Sequence, residues 1–405
     1  MRLSGGLDTG NGYMKGEIKG NEMIFVDYPS THAVFSLAND IKAEGPAVAN
    51  VIGDIFNQMD ISISSDLVPD GKRRIFGKRA IKSGERTISF DVNDLHRSKA
   101  EQEMSPIMVI GTFAGVALKS WYGAEKKLPD KMITACVTCA LALPIDEYRK
   151  YKDIYAQSLK KGSHLVTFYN FTEPVRVEVK FDEVLVFAEG AAARFAIKKG
   201  GADIEKALTE KLKGLGTTAD MVRKAKNMLL IDIGDGTVNM AVFQGGELSP
   251  DASGTIDQGY GTMLDKCLKR LKPMGYPFSS SRKKLADFLL AEPTPFTRER
   301  YNVVSGIVED EENMFCDDIV LSAEKYITSM GGSTEFMLVI GGGSIPLRRV
   351  LEAKLNESGK RLSGIPVIYM HEEDARKLNA KGLRMIAETL FEKGKTPLIK
   401  GMKSK

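Results

Sequence analysis

The stretch IDIGDGTVN, Ile231–Asn239, decides the fold of this 405-residue chain. It overlaps an apolar run, Met228–Ile233, that ends abruptly at glycine, which is typical of a buried strand entering a tight turn. The turn suits an anionic ligand, because glycine lets backbone N–H groups approach phosphate oxygens and aspartate holds Mg²⁺ through its water shell. The sequence therefore predicts a phosphate-binding hairpin at this point.

The same D-x-G-x-G pattern occurs near the N-terminus, in LDTGNGYMK at Leu7–Lys15. Here a lysine follows the glycines and would offset phosphate charge. A β-hairpin turn at Asn11-Gly12 would explain the glycines of one copy equally well. Two copies about half the chain apart instead favour two similar domains that offer glycine turns to one polyphosphate, with a coincidental pair of structural turns as the alternative.

A third glycine segment, IGGGSIP at Ile340–Pro346, follows the apolar run Phe336–Ile340 and leads into a predicted helix from Leu347. Glycines remove side chains where a flat base must lie. The alternative is a flexible strand-to-helix loop, which is common in α/β proteins. The position of this segment after both phosphate loops favours the nucleotide role.

Length and composition indicate a soluble protein of more than one domain. The 405 residues exceed the roughly 250–300 at which a single core stops growing, and 43% hydrophobic with 27% charged residues is ordinary for globular chains. The net charge of +4 is too small to indicate direct nucleic-acid binding. Four cysteines and the lack of a secretory signal favour a cytoplasmic location. The sequence has no apolar run of about 18 residues, so no membrane-spanning helix is predicted.

Predicted strands alternate with predicted helices along the chain, which indicates an α/β architecture with mainly buried sheets. Besides the two apolar runs above, strands are predicted at Met132–Leu143 and Val175–Phe187. Helices are predicted at Ser105–Trp121 and Glu189–Lys199, and a basic one at Met263–Lys272.

The order D-x-G-x-G-x-x-K, D-x-G-x-G-T and I-G-G-G-S resembles the phosphate-1, phosphate-2 and adenosine motifs of the superfamily of actin, sugar kinases and heat-shock chaperones. Ala142–Lys152 resembles the first interdomain connection of that superfamily, and Asn379–Leu390 the second. Within it, the chain is most similar to bacterial ParM-type actins of plasmid segregation, through the segments LALPIDEY, VLVFAEGAAARFA and GTIDQGYGT.

The resemblance implies an actin-like two-domain α/β fold, with duplicated mixed-sheet domains and a nucleotide cleft between them. Domain I would comprise residues 1–148 and 375–405, with a peripheral subdomain near 25–85. Domain II would comprise residues 149–374, with a peripheral subdomain near 250–330.

The resemblance also implies a site for ATP, or possibly GTP, with Mg²⁺. Asp8 and Asp232 would hold the metal through water and count among the catalytic residues. Gly341, Gly342, Gly343 and Ser344 would back the adenine, and Lys266 or Lys269 would reach the base or ribose. The phosphates would be bound by Thr9, Gly10, Asn11, Gly12 and Lys15 on one side and by Gly234, Asp235, Gly236 and Thr237 on the other.

Glu189 is the candidate for orienting the attacking water, since it follows a predicted strand and opens an alanine-rich helix. The alternative is an early-helix acid favoured by the helix dipole. Two parts of the sequence depart from the resemblance, the phosphate-2 loop and the first strand. Asp235 places an acid beside the phosphates where many bacterial relatives have a small residue, and Asn239 stands where many have aspartate. The first strand, Arg2–Leu7, is also poor in apolar residues.

The function implied is an actin-like ATPase whose ATP-dependent filaments segregate plasmid DNA. Its partners would be further copies of itself and a DNA-binding adaptor protein at a centromere-like site, with no membrane partner and no direct contact with nucleic acid. The alternatives are a small-molecule kinase of the same fold, for which no separate sugar-binding signature is visible, and a cell-shape or division actin.

Overall fold

The computed structural model describes residues 1–91, 97–370 and 372–393, without the side chains of residues 280, 372 and 391–393. The end of the predicted domain I, from residue 394 onward, lies outside them. The strands are β1 Arg2–Thr9, β2 Tyr13–Lys19, β3 Met23–Pro29, β4 Thr31–Val34, β5 Asp60–Ser64, β6 Arg73–Phe76, β7 Thr87–Ser89, β8 Ile133–Leu143, β9 His164–Phe168, β10 Val175–Ala188, β11 Met228–Ile233, β12 Val238–Gln244, β13 Glu247–Leu248, β14 Gly254–Ile256, β15 Phe336–Ile340 and β16 Val367–Tyr369. The helices are α1 Ala47–Gly53, α2 Ile55–Gln58, α3 Gly77–Lys82, α4 Met104–Glu125, α5 Ile145–Lys160, α6 Ala191–Lys199, α7 Ala202–Lys211, α8 Ala219–Lys224, α9 Tyr260–Leu271, α10 Arg282–Leu290, α11 Arg298–Ser329, α12 Ser344–Arg361 and α13 Glu372–Lys393.

The chain divides into two compact units, the first formed by Met1–Gly200 with the chain from Lys377 onward, and the second by Gly201–Arg376. This division differs from the predicted boundary at residue 148. Residues 149–200 belong to the first unit, because β10 pairs in parallel with β8 from Val177 to Ala188. The segment Ala142–Lys152 therefore closes β8 and opens α5 inside the first unit instead of connecting two domains.

The first unit is built on one mixed sheet with the strand order β3-β2-β1-β8-β10-β9-β5-β6-β4-β7. Strands β4 to β7, from the region predicted as a peripheral subdomain, extend this sheet through the pairing of β5 with β9. Helices α6 and α13 pack in a cluster with Ala140, Ala142 and Phe187. Both faces of β8 are buried at its carboxyl end, as expected for a central parallel strand.

Helix α4 is long and apolar enough to cross a membrane, by length and composition, and among the described residues it is the one such helix. Its apolar window is 72% buried within the unit. The helix contacts β1, β8 and β10 of the sheet. We therefore identify it as a core helix, close to the predicted span Ser105–Trp121.

The second unit has a smaller sheet with the order β13-β12-β11-β15-β16, and β14 pairs with β12. One apolar cluster joins its strands to α9, α11 and α12, with Leu229, Met263, Ile319 and Leu347 among the fully enclosed members. The region predicted as a second peripheral subdomain, near 250–330, forms β14 and helices α9, α10 and α11.

The two sheets contain the same five-strand pattern. In the first, β3, β2 and β1 are antiparallel neighbours, and β1, β8 and β10 run parallel. In the second, β13, β12 and β11 are antiparallel neighbours, and β11, β15 and β16 run parallel. The predicted duplication of mixed-sheet domains is confirmed by this repeated order.

Strand β1 is poor in apolar residues because its glycines lie against other backbone. A Cβ atom on Gly6 would lie 2.2 Å from the backbone nitrogen of Arg384 in α13 and 2.4 Å from the Cβ of Leu383. A Cβ on Gly5 would lie 2.5 Å from the carbonyl oxygen of Glu17 in β2. The glycines of β1 therefore allow α13 and the neighbouring strand to approach it closely.

We expect Gly6→Ala to lower the free energy of unfolding by about 3 kcal/mol, since either β1 or α13 must shift to make room. The control is Gly53→Ala, at the exposed end of α1, where a Cβ meets no atom within 4 Å. That change is expected to be neutral or stabilising by up to about 1 kcal/mol. Urea denaturation of both variants measures the difference, and equal effects would contradict close packing at Gly6.

Candidate functional site

The first glycine loop connects β1 to β2 at Gly10–Gly12. Asp8 and Lys15 are directly opposite each other in the hairpin, so their side chains share one face of the sheet. Asp8 is buried, with 6% of its surface exposed. Ser30 stabilises the turn through two hydrogen bonds. Its hydroxyl donates to the carbonyl oxygen of Gly10 at 2.6 Å, and its N–H donates to the carbonyl oxygen of Gly12 at 3.0 Å.

The second glycine loop connects β11 to β12 at Gly234–Thr237. The N–H of Gly234 donates to the carbonyl oxygen of Thr237 at 2.9 Å, which closes the turn. Asp232 corresponds to Asp8 in position and in its 6% exposure, and it is paired across the hairpin with Asn239. The Oδ1 of Asn239, a buried residue, accepts a hydrogen bond from the hydroxyl of Thr255 at 2.9 Å. The residue that departs from the resemblance at position 239 therefore supports the neighbouring strand.

The glycine segment after β15 packs directly on the second loop. The N–H of Gly343 donates to the carbonyl oxygen of Ile233 at 2.8 Å. Gly341 has a positive φ of 92°, and a Cβ there would lie 2.3 Å from the carbonyl oxygen of Ile233. Gly342 is different, because a Cβ there would meet only the side chain of Arg376, at 3.8 Å. Two of the three glycines are thus required by packing, whereas the middle one has room for a side chain.

Helix α12 begins beside the second loop. The hydroxyl of Ser344, the first residue of the helix, donates to the carbonyl oxygen of Gly341 at 2.7 Å. The hydroxyl of Tyr369 in turn donates to the carbonyl oxygen of Ser344 at 2.6 Å. These bonds fix the start of the helix, whose positive dipole end favours an anion at this edge of the sheet.

Within each unit, most of the predicted site residues follow the carboxyl ends of adjacent parallel strands. In the first unit these strands are β1, β8 and β10, which lead into the first glycine loop, the start of α5 and Glu189. In the second unit, β11 and β15 lead into the second glycine loop and the triple glycine. This edge is where open α/β sheets bind ligands.

Glu189 lies between β10 and α6, with 9% of its surface exposed. Its N–H donates to the carbonyl oxygen of Leu143 at the end of β8, at 2.8 Å. The residue precedes the helix, whose N-cap is Gly190, so it is not a residue of the first helical turn. Glu189 lies one residue before the N-cap, close enough to the helix N-terminus for the dipole to favour its charge, so both interpretations of Glu189 fit this position.

A second acid, Glu147, lies in the same cluster. Its Oε2 accepts a hydrogen bond from the N–H of Lys99 at 2.8 Å, while the Lys99 ammonium lies 3.5 Å from Oε1 of Glu189. Lys99 is 4% exposed and thus places a buried positive charge beside two acids. Sequence reasoning did not identify Glu147 or Lys99. Glu147 lies shortly after the predicted strand Met132–Leu143. Its position after the carboxyl end of a buried strand was the sequence signal that could have identified it as a site residue.

Burial raises the pKa of Glu147 to about 7; the Lys99 charge lowers it and the Glu189 charge raises it. A carboxyl group with a pKa near neutral is suited to exchange protons with a substrate or water at physiological pH. The pair of acids can therefore hold or accept a proton at the edge of the first sheet.

The raised pKa of Glu147 makes a contribution to stability that depends on pH. The folded chain holds this proton more tightly than the unfolded chain, so the free energy of unfolding should fall as pH rises from about 4.5 to about 7. For this partly buried group we expect roughly 2 kcal/mol. Urea denaturation across this pH range should show that Glu147→Gln loses that part of the slope; identical slopes in the two proteins would contradict the assignment.

The remaining predicted residues divide between the two loops and α9. Lys266 and Lys269 are exposed on α9, and the Lys266 ammonium donates to Oε1 of Gln258 at 2.7 Å. Asp235 is paired with Arg282, whose Nη1 donates to its Oδ2 at 2.8 Å. The first loop contains Thr9, Gly10, Asn11 and Gly12, and the second contains Gly234, Asp235, Gly236 and Thr237.

No cluster of three or more metal-binding side chains occurs among the residues that the structure describes. The predicted Mg²⁺ contacts need no such cluster, because each buried aspartate would bind the ion through water. Asp8 and Asp232 are carboxylates at the ligand-binding edges of the two sheets, and oxygen donors of this kind are the ones that Mg²⁺ prefers. Each aspartate, taken by itself, therefore has the chemistry to contact a hydrated magnesium ion.

No protein-family model and no curated protein matches this chain. Solved structures do match it. The actin-like protein Alp7A is 16% identical, the match covers 97% of each chain, and the TM-score is 0.64. A non-polymerisable quadruple mutant of pCBH ParM is 16% identical over 96% of this chain and 100% of that one, with a TM-score of 0.62.

A third match is ParM of Bacillus thuringiensis in a structure with ATP, which is 16% identical over 97% of this chain and 100% of that one, with a TM-score of 0.57. At this level of identity the likeness concerns the fold. The matches extend over nearly the whole of each chain, and the two sheets repeat one strand order. The protein therefore has the actin-like fold, as the order of its glycine motifs predicted.

Proposed function

We propose that this protein is an actin-like ATPase that binds ATP and Mg²⁺ through its two glycine loops and assembles into filaments. The observation that carries the proposal is the repeated hairpin. In two sheets of the same strand order, the same D-x-G-x-G turn follows the corresponding strand, and a 6% exposed aspartate precedes each turn. Independent structural turns would have no reason to recur at equivalent positions.

The proposed nucleotide contacts follow from the chemistry of the loops. Backbone N–H groups of residues 9–12 and 234–237 would bind phosphate oxygens, and Lys15 would offset their charge. Asp8 and Asp232 would order the water shell of Mg²⁺, which neutralises charge that develops during phosphoryl transfer. Gly342, where a Cβ would make only an ordinary contact with Arg376, is the glycine proposed to contact the base.

Hydrolysis would use the acidic pair of the first unit. Glu189 is proposed to orient the attacking water, and Glu147 to accept its proton, because the pKa of Glu147 is raised to about 7. Lys99 would keep both acids in place through its N–H and its ammonium group.

Filament assembly is proposed because the chain shares its fold with ParM and Alp7A structures, one of them named as a non-polymerisable mutant. ATP-bound subunits would assemble, and hydrolysis would weaken the polymer. The finer proposal is that the filament moves plasmid DNA in the cytoplasm through an adaptor protein. The net charge of +4 favours an adaptor over direct contact with DNA.

The proposal is tested by incubating the purified protein with ATP and Mg²⁺ and measuring phosphate release. An ATPase releases phosphate with no second substrate. Its rate of phosphate release per protein molecule should rise with protein concentration as filaments form. A small-molecule kinase would instead require a metabolite and yield a phosphorylated product. Phosphate release that depends strictly on an added metabolite would contradict the proposal.

A further inference from the structure

The second glycine loop carries an acid, Asp235, where a bound triphosphate would bring strong negative charge. This acid is paired in the structure. Nη1 of Arg282, the first residue of α10, donates to Oδ2 of Asp235 at 2.8 Å. The two residues are 47 positions apart in sequence, so the fold brings them together.

The guanidinium of Arg282 is anchored from a second side. Its Nε donates to Oδ1 of Asp265 in α9 at 2.8 Å, and its Nη2 donates to the other oxygen of the same carboxylate. This two-point contact fixes the plane of the guanidinium and leaves its Nη1 for Asp235. The hydrogen bonds that Arg282 donates to Asp265 are the largest of the effects that raise the pKa of Arg282.

Two glycines of the segment GTIDQGYGT make room for this arrangement. A Cβ on Gly261 would lie 2.2 Å from Nη1 of Arg282 and 2.3 Å from Oδ1 of Asp235. A Cβ on Gly259 would lie 2.5 Å from the carbonyl oxygen of Asp235. That oxygen also accepts a hydrogen bond from the N–H of Gly261 at 2.8 Å. The start of α9 is thus shaped to hold Asp235 against Arg282.

We propose that Arg282 neutralises Asp235 and thereby allows the second glycine loop to accept the phosphates of a nucleotide. Arg282 is a positioning residue, since it acts through the side chain that it pairs with. The inference rests on the proposed function, because it requires phosphates at this loop. It also ties the nucleotide loop to α10, the helix that begins at Arg282.

The physical argument concerns what remains when the arginine is lost. An ion pair that is about one-third exposed contributes little to stability by itself, and Arg282 and Asp235 are 33% and 38% exposed. Without Arg282, however, the carboxylate of Asp235 faces the phosphates as an unpaired like charge. Such a repulsion at a protein surface weakens binding by about tenfold or more.

The test measures the affinity for Mg²⁺-ATP of the wild-type protein, Arg282→Ala, Asp235→Asn and the double variant. Arg282→Ala should weaken binding about tenfold, with a larger loss at low salt. Asp235→Asn alone keeps the backbone N–H of this residue and leaves the charge of Arg282 without its acid, so it should bind more tightly than the wild type. The double variant should return to within about threefold of the wild type, because the repelling charge is gone.

The matched control is Arg270→Ala. Arg270 lies on α9, is 40% exposed, and pairs with Asp310 and Glu311 instead of a glycine loop. It should leave the affinity for Mg²⁺-ATP unchanged. Thermal denaturation of each variant reports folding. Arg282→Lys keeps the charge but not the two-point contact with Asp265, so its affinity should lie between those of the wild type and Arg282→Ala.

Two outcomes would overturn the inference while leaving the proposed function in place. Unchanged affinity in Arg282→Ala would show that the charge of Asp235 does not reach the ligand. A double variant as weak as Arg282→Ala would show that Arg282 binds the nucleotide itself or only supports α10. Failure of the wild-type protein to bind Mg²⁺-ATP would refute the proposed function, and the inference with it.

Discussion

Glu147→Gln and Glu189→Gln are each expected to slow ATP hydrolysis by about 100-fold or more, while ATP affinity stays within about twofold of the wild-type value. Lys99 contacts both acids, Glu147 through its backbone N–H and Glu189 through its ammonium group. The pKa of Glu147 is raised to about 7. Glutamine keeps the size and the hydrogen-bonding capacity of each side chain but cannot accept a proton. Glu147→Gln should therefore have the larger effect.

Single-turnover phosphate release measures this effect, and titration with a fluorescent ATP analogue measures binding. Glu183→Gln is the control, since Glu183 lies on β10 a few residues before Glu189 but is exposed and pairs with Lys160. Its hydrolysis rate should match the wild type. If both acidic variants kept rates within twofold of the wild type, the acidic pair would not take part in hydrolysis.

Gly343→Ala is expected to lower the free energy of unfolding by about 3 kcal/mol and to abolish measurable ATP binding. A Cβ at this position would lie 2.7 Å from the carbonyl oxygen of Gly234 and 2.9 Å from the Cβ of Tyr260. The added methyl group must push the triple-glycine segment away from the second loop. Both the packing of the second unit and the shape of the loop would change.

Gly342→Ala separates packing from ligand contact, because its Cβ would make only an ordinary contact with Arg376, at 3.8 Å. Its free energy of unfolding without nucleotide should match that of the wild type. Its affinity for ATP should fall about tenfold if the base lies over this glycine, since the methyl group would occupy that space. Calorimetric titration with ATP measures both variants. If Gly342→Ala bound ATP with wild-type affinity, the base would not lie over this glycine.

The local patterns of the sequence predicted much of this fold. The apolar runs at Met228–Ile233 and Phe336–Ile340 are strands β11 and β15 with the predicted bounds, and the run at Met132–Leu143 differs from β8 by one residue. The α/β architecture that the alternation of strands and helices predicted is confirmed as well, and so is the actin-like fold that the family resemblance implied. These features depend on neighbours in sequence, which a single chain displays directly.

The features that sequence reasoning missed depend on distant residues. The domain boundary was misplaced because β10 joins the first sheet by pairing with β8, about 40 positions earlier in the chain. Glu147 reads in sequence as an acid in the first turn of a helix, and its raised pKa comes mainly from burial, with a smaller contribution from the nearby charge of Glu189. The pairing of Asp235 with Arg282 spans 47 positions and has no local signature.

The central claim is that ATP controls assembly of this chain into filaments. Electron microscopy and sedimentation of the purified protein test it most directly, with ATP, with ADP and with no nucleotide, each in the presence of Mg²⁺. We predict filaments and pelleted protein with ATP, and few or none with ADP or without nucleotide. A protein that stays monomeric at high concentration in all three conditions would contradict the account.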